Sequence, residues 1–160
     1  MRRILAFFIV FSVFSAAFAD NIDNFLGIKF GSNKEKVVSK LENLGFYEDQ
    51  TTFETDKEFI LYFKPLRNFS YIGEKVTFVA AIFENGKFVS GAVSYIDIEN
   101  FEYEHLIAKF PDLEMIDKEE SNKEVIFIFK DTKTFNLLRL KLAVLEGGHS
   151  LVTLMFDYTE

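Results

Sequence analysis

The apolar positions of this chain fall into three kinds of pattern: an unbroken run, two stretches at helical spacing, and several at strand spacing. The unbroken run comes first. Ile4 to Phe18 is almost wholly apolar, follows Arg2 and Arg3, and ends in Ala17-Phe18-Ala19, a small-x-small site. A basic start, a short apolar core and that site predict an export signal over residues 1–19, cleaved before Asp20. The run is too short to span a bilayer comfortably, so no membrane span is expected after cleavage. General secretion is preferred to twin-arginine export because the arginines lack flanking polar context. No cysteine stands at the cleavage site, so a lipid anchor is not expected.

Helical spacing appears next. After Leu26-Gly27-Ile28-Lys29-Phe30-Gly31, Ser32 is placed as an N-cap and Glu35 completes a capping box. Val37, Val38, Leu41 and Leu44 then recur on one face. Gly45 is placed to end this helix, with Phe46 folding back over its last turn. Strand signals follow. Phe59, Leu61 and Phe63 alternate with Ile60 and Tyr62 until Pro65. Val76 to Phe83 and Phe88 to Tyr95 predict two more strands, joined by the tight-turn dipeptide Asn85-Gly86.

The pattern then repeats. Asn100 is a candidate cap, Glu102 and Glu104 suit a first helical turn, and Phe101, Ile107 and Phe110 share a face before Pro111. Val125 to Lys130 predicts a strand. Asn136 to Leu145 predicts a longer one, with Leu138, Leu140, Leu142 and Val144 opposite Arg139 and Lys141. After the turn Gly147-Gly148-His149-Ser150, Leu151 to Tyr158 predicts the last. The expected fold is therefore α+β: two α-β-β-β units forming antiparallel sheet with the helices packed on one face. Residues 20–160 are read as a single domain, possibly two tandem units over 25–97 and 98–160.

Composition changes this picture in three ways. First, the chain has no cysteine, so an exported domain of this size must be held by its core alone. Five of the 21 phenylalanines lie in the signal, leaving sixteen to supply that core or to line a cavity for an apolar ligand. Second, without Arg2 and Arg3 the 18 basic residues become 16 against 25 acidic, a net charge of −9. With no basic stripe, neither nucleic acid nor an anionic membrane surface is an expected partner. Third, an exported, cysteine-free chain rich in Lys, Glu, Asn, Ile and Phe reads as bacterial, and its expected location is the periplasm or the extracellular space.

Gly31, Lys34, Glu35, Val37 and Leu41, with Leu44 beyond, resemble the Gly-x-x-Lys-Glu-x-Val-x-x-x-Leu opening of the BamE-type outer-membrane assembly proteins. The doubled helix-plus-strands order is similar to that of the β-lactamase inhibitor proteins. The matched motif covers residues 31–44. This chain lacks the lipidated cysteine of the former and the disulfides of the latter. The resemblance implies a protein-binding scaffold without catalysis and transfers no functional residue.

Candidate chemistry is sparse. His105 and His149 are far apart and have no ligand-like companions. Asp20-Asn21-Ile22-Asp23-Asn24 lacks the glycine and closing glutamate of a calcium loop. A thiol nucleophile is impossible, no serine sits in a Gly-x-Ser-x-Gly elbow, and Gly147-Gly148 is no phosphate loop. The acids Asp117, Glu119, Glu120 and Glu124 form only a modest cluster. No metal, cofactor or enzymatic activity is expected. The segment Lys64 to Gly73 is the candidate interface. Arg67, Phe69 and Tyr71 would anchor a partner if exposed, or would plug the sheet edge if Phe69 and Tyr71 folded inward. The leading expectation is an exported, non-enzymatic module binding another envelope or extracellular protein. The alternative is a carrier of a small apolar ligand in a Phe-lined cavity.

Overall fold

The computed structural model describes residues 22–49, 53–54, 58–98, 101 and 103–159; the predicted export signal over residues 1–19 lies outside them, as do the cap candidate Asn100 and Glu102. The chain runs β1 (Asn24–Phe25), β2 (Ile28–Lys29), α1 (Lys34–Asn43), β3 (Phe46–Glu48), β4 (Phe53–Glu54), β5 (Glu58–Pro65), β6 (Ser70–Tyr71) and β7 (Glu74–Lys75). It continues through β8 (Phe78–Glu84), β9 (Lys87–Ile96), α2 (Tyr103–Lys109), β10 (Leu113–Glu120), β11 (Glu124–Asp131), β12 (Leu137–Val144) and β13 (Ser150–Asp157). One antiparallel sheet dominates, in the order β10-β11-β12-β13-β9-β8-β5-β3, with β4 beside β5. The pairs β1-β2 and β6-β7 form two small separate sheets.

This overturns the expected α+β class with helices packed on one face. Strands take 54% of the described residues and helices only 13%. Two physical reasons account for the difference. The strand β10 reads Leu-Glu-Met-Ile-Asp-Lys-Glu-Glu and is exposed along almost all its length, so it has no apolar alternation to reveal it. The paired segments of β1-β2 and β6-β7 are two residues each, too short for any period to register. The first half contributes five strands to the main sheet and the second half four, where three each were expected. The meanders β3-β5-β8-β9 and β10-β11-β12-β13 meet where β9 pairs antiparallel with β13.

Local signals are met at several points. Both turn residues between β8 and β9 have positive φ, 49° at Asn85 and 75° at Gly86, the geometry a two-residue hairpin needs. The first helix is capped one residue later than expected: Asn33, not Ser32, accepts the Lys36 amide at 3.1 Å. Ser32 is instead tied to the sheet, its carbonyl accepting the Phe88 amide at 2.9 Å. Glu35 remains in the first turn, where a negative charge suits the helix dipole. Gly45, at φ 89°, follows the C-cap Leu44.

The inner face of the sheet carries the core. Phe63, Phe83, Phe88, Phe129 and Phe156 are fully buried with Tyr95, under Phe25, Phe46, Val37, Leu41, Leu106 and Phe110. Each such phenylalanine contributes about 1.5–3 kcal/mol, which is how the fold holds without crosslinks. Phe25 packs between Phe88 and Phe156, with ring centroids 6.1 and 5.5 Å away. Its ring lies where Gly91 leaves room, since a Cβ there would stand 2.3 Å from the Phe25 Cδ1. The cover of this face is thus shared among the β1-β2 hairpin, α1, the β6-β7 region and α2.

The start of the described chain is locked in place. Ile22 is fully buried, and its amide donates to Asp131 Oδ2 at 2.8 Å. Its carbonyl accepts from Thr134 Oγ1 at 3.1 Å and from the Asn136 side-chain amide. Asp131 is itself buried, and its Oδ1 accepts the amides of Lys133 and Thr134 at 2.8 and 3.0 Å. Three backbone amides thus donate to this buried carboxylate.

Candidate functional site

The Lys64–Gly73 segment is not an open loop. Phe69 is half-buried and meets Phe46 edge-on with centroids 4.8 Å apart. Tyr71, also half-buried, meets Phe156 edge-on at 6.2 Å, and Lys109 Nζ lies 5.3 Å from its ring centroid. The Tyr71 carbonyl accepts from the buried Tyr95 hydroxyl at 3.0 Å. Burial pushes the Tyr95 phenol above its ordinary value near 10. Arg67 is exposed beside Leu66, and both border a notch of about 410 Å³ with Leu44 and Phe69. Of the three predicted interface residues, then, Arg67 and Phe69 share a shallow notch. Tyr71 faces elsewhere, toward α2.

The titratable groups do not converge. His149 Nδ1 sits 2.9 Å from Asp97 Oδ1, both well exposed at the mouth of the last hairpin. His105 lies on α2 against Gly73. Among the described residues no three His, Asp or Glu side chains gather as a metal would require. The acidic cluster divides by strand parity: Lys118 and Glu120 face inward and bond at 2.8 Å, while Asp117 and Glu119 face outward. The hydrogen bond from Lys118 holds the Glu120 carboxyl below its usual range.

A different surface emerges from the register. Val125 pairs with Leu142 and Phe127 with Leu140, while Leu142 and Leu140 pair in turn with Val152 and Leu154. All six therefore share the inner face, and Leu154, Leu140 and Val152 are buried. Moving outward from β13, cover runs out. Phe127, Val125 and Leu142 are half-exposed, Val144 is 62% exposed and Met115 58%. With Ile98 and Phe101, the residues Val125, Phe127, Leu142, Val144 and Val152 line an apolar cleft of about 650 Å³ over β11–β13, which also takes in the β10-β11 turn Ser121-Asn122-Lys123. The opposing faces differ: outward on β11 and β12 stand Lys130, Arg139, Lys141 and Glu124, with Arg139 bound to Asp157 at 2.7 Å and Lys141 paired with Glu124.

The reason for the uneven cover lies in the helices. α1 buries Val37 and Leu41 over the first meander beside Phe46. α2 is three residues shorter and leans the other way: Phe110 packs on Phe156, Lys109 reaches Tyr71, and His105 meets Gly73. It covers the middle of the sheet and leaves Phe127, Val125 and Leu142 of β11 and β12 only partly covered. The spacing predicts Leu138, Leu140, Leu142 and Val144 on one side, opposite Arg139 and Lys141, and the register has them so. The usable signal was that this apolar side extends past anything a seven-residue helix can shield.

Comparison with known proteins finds no matching family model, no matching curated protein and no matching solved structure.

Proposed function

We propose that this chain is an exported, non-enzymatic binding module whose partner is another protein of the cell envelope or the extracellular space. The observation that carries the reading is the apolar cleft over β11–β13: half-buried Val125, Phe127 and Leu142 beside widely exposed Val144. An exposed apolar patch rimmed by polar residues is the usual mark of an interaction surface. The net charge of −9 after signal removal favours solubility and argues against nucleic acid. Among the described residues no helix is long and apolar enough to cross a membrane.

The cleft also supports the second reading, a carrier of a small apolar ligand, because about 650 Å³ is within the range of small-molecule sites. One experiment separates them: native mass spectrometry of the mature protein purified from its own envelope fraction. A protein mass that is lost on Leu142→Glu supports the module. A bound lipid-sized mass, lost on the same change, supports the carrier and overturns the module.

A further inference from the structure

We propose that the outer face of the main sheet is the contact surface of a symmetric dimer, with a second copy of this chain seated on it sheet to sheet. The sequence pattern is the first argument. An antiparallel strand with one face in water alternates apolar and polar residues, whereas a strand covered on both faces reads as a nearly continuous apolar run. β8 runs Phe-Val-Ala-Ala-Ile-Phe, and β5 runs Phe-Ile-Leu-Tyr-Phe between its charged ends. Yet the buried cluster lies on the inner face alone. None of Ile60, Tyr62, Phe78, Ile82, Leu151 and Met155 joins that cluster or packs against it.

The register gathers these side chains into one patch. Tyr62, Ala80, Ala92 and Met155 stand in a row across β5, β8, β9 and β13, between the rows Ile60-Ile82-Ser90 and Phe78-Ser94-Thr153. No charged residue occupies any of these outer positions, although 27% of the chain is charged. Charge begins at the margins, with Glu58, Glu84 and Lys64 on one side and Arg139, Lys141 and Asp157 on the other. An uncharged centre within a polar rim is the anatomy of a protein interface.

Shape and area select the occupant. Ser90, Ala92 and Ser94 are small and buried by taller neighbours, so β9 forms a trough between a ridge of Tyr62, Phe78 and Ile82 and a second ridge of Leu151 and Met155. A second copy carries the same ridges and the same trough, and a two-fold axis makes each fit twice. Eight strands about 4.8 Å apart and about 24 Å long give this face about 900 Å². A standard stable interface buries about 800 Å² per partner. Sheets packed this way lie about 10 Å apart, and the cleft over β11–β13, on the opposite face, stays open in both copies. An anionic membrane is the poorer occupant, because the mature chain carries a net charge of −9.

The first test needs no variant. Beyond Met1 in the signal the chain has two methionines: Met155 in the patch, and Met115 on the inner face, 58% exposed. Dilute hydrogen peroxide converts each thioether to its sulfoxide, with water as the by-product, and mass spectrometry follows both sites. Between about 1 and 100 µM protein, Met155 should become at least threefold slower to oxidise while Met115 keeps its rate. Sedimentation velocity should show monomer giving way to dimer over that range. Raising NaCl to about 0.5 M should favour the dimer further, because salt screens the repulsion between two copies of net charge −9. Met155→Glu and, separately, Ile82→Glu should weaken the dimer at least tenfold with far-UV circular dichroism unchanged, and Val144→Glu in the cleft should leave it intact. A monomer at about 100 µM, Met155 oxidation independent of concentration, or a dimer that survives Met155→Glu and is lost on Val144→Glu overturns the proposal.

Discussion

Gly91 offers the sharpest test of how this core is assembled. It lies mid-strand in β9 beneath the ring of Phe25, and a Cβ added there would stand 2.3 Å from Cδ1 and 2.4 Å from Cγ of that ring. Ordinary carbon contact needs more than a further ångström. Phe25 cannot yield it sideways, because Phe88 and Phe156 hold it at 6.1 and 5.5 Å. Overpacking that a core absorbs costs about 1–3 kcal/mol, and loss of a buried phenylalanine costs about 3–5 kcal/mol. Because the ring is held on two sides, Gly91→Ala is expected to displace it and cost about 3 kcal/mol. With a urea slope near 2 kcal/mol/M, the unfolding midpoint should fall by about 1.5 M.

A double-mutant cycle makes the reasoning refutable. In a Phe25→Ala background the space above Gly91 is empty, so Gly91→Ala should cost less than about 0.5 kcal/mol. It could even gain, since alanine loses less entropy than glycine in a strand. Far-UV circular dichroism suits the titration, as the chain has no tryptophan. Equal costs of Gly91→Ala in both backgrounds would show that the Phe25–Gly91 fit is not what makes glycine necessary here.

Three further predictions follow from the same geometry. Asp131→Ala removes the acceptor for the Ile22, Lys133 and Thr134 amides; it should cost about 3–5 kcal/mol, given about 1.5–3 kcal/mol per bond to a charged acceptor with incomplete additivity, and hydrogen exchange should show the Ile22 amide losing protection. Tyr95→Phe orphans the Tyr71 carbonyl and should cost about 1 kcal/mol at neutral pH. Burial raises the folded-state pKa of Tyr95, so its contribution is complete below about pH 10 and is lost as pH rises further, at up to about 1.4 kcal/mol per pH unit; urea titrations of the two proteins from pH 8 to 11 should converge and then cross. On β12, Leu142→Glu should change stability by less than about 1 kcal/mol, while Leu140→Ala, at 3% exposure, should cost about 2–5 kcal/mol. Equal, large losses at both positions would mean that the cleft is closed in solution.

What the sequence disclosed followed its local periods. The Asn85-Gly86 hairpin, the α1 stripe of Val37 and Leu41, the Gly45 stop and the alternation of Leu138 and Leu140 are each written within ten residues. What it hid was either too short or too exposed to carry a period. The hairpin that delivers Phe25 rests on two-residue strands, and its positive φ at Leu26 and Gly27 has no strong local signature. The edge strand β10 is amphipathic to nothing, and its bulge between Met115 and Asp117 breaks even the weak alternation it has. Charged, bulged edges resist pairing with other chains, so the features that concealed β10 are those that protect it. Phe69 and Tyr71 could be recognised as interface-type residues, but only the long-range positions of Phe46 and Phe156 decide that they turn inward.

The open cleft and the buried start of the chain are two results of one imbalance. Each four-stranded meander exposes an inner face that must be covered, and the chain distributes its cover unequally. The first receives the β1-β2 hairpin, a ten-residue helix and the β6-β7 segment. The second receives a seven-residue helix that is drawn toward Phe156 and Tyr71. Ile22 is spent closing the shared seam, bonded to Asp131, Thr134 and Asn136 of the second meander's middle turn, where Phe129 and Leu138 are fully covered. Further along the same strands Leu140 is still buried, Phe127, Val125 and Leu142 are half-buried, and Val144 is exposed. A core that needed only stability would be closed there by one more turn of helix. Strand parity sends Glu114, Asp117 and Glu119 of β10 to the outer face and leaves the paired Lys118 and Glu120 on the inner one. Half-buried Val125, Phe127 and Leu142 mark where the cover of the second meander falls short of that over the first.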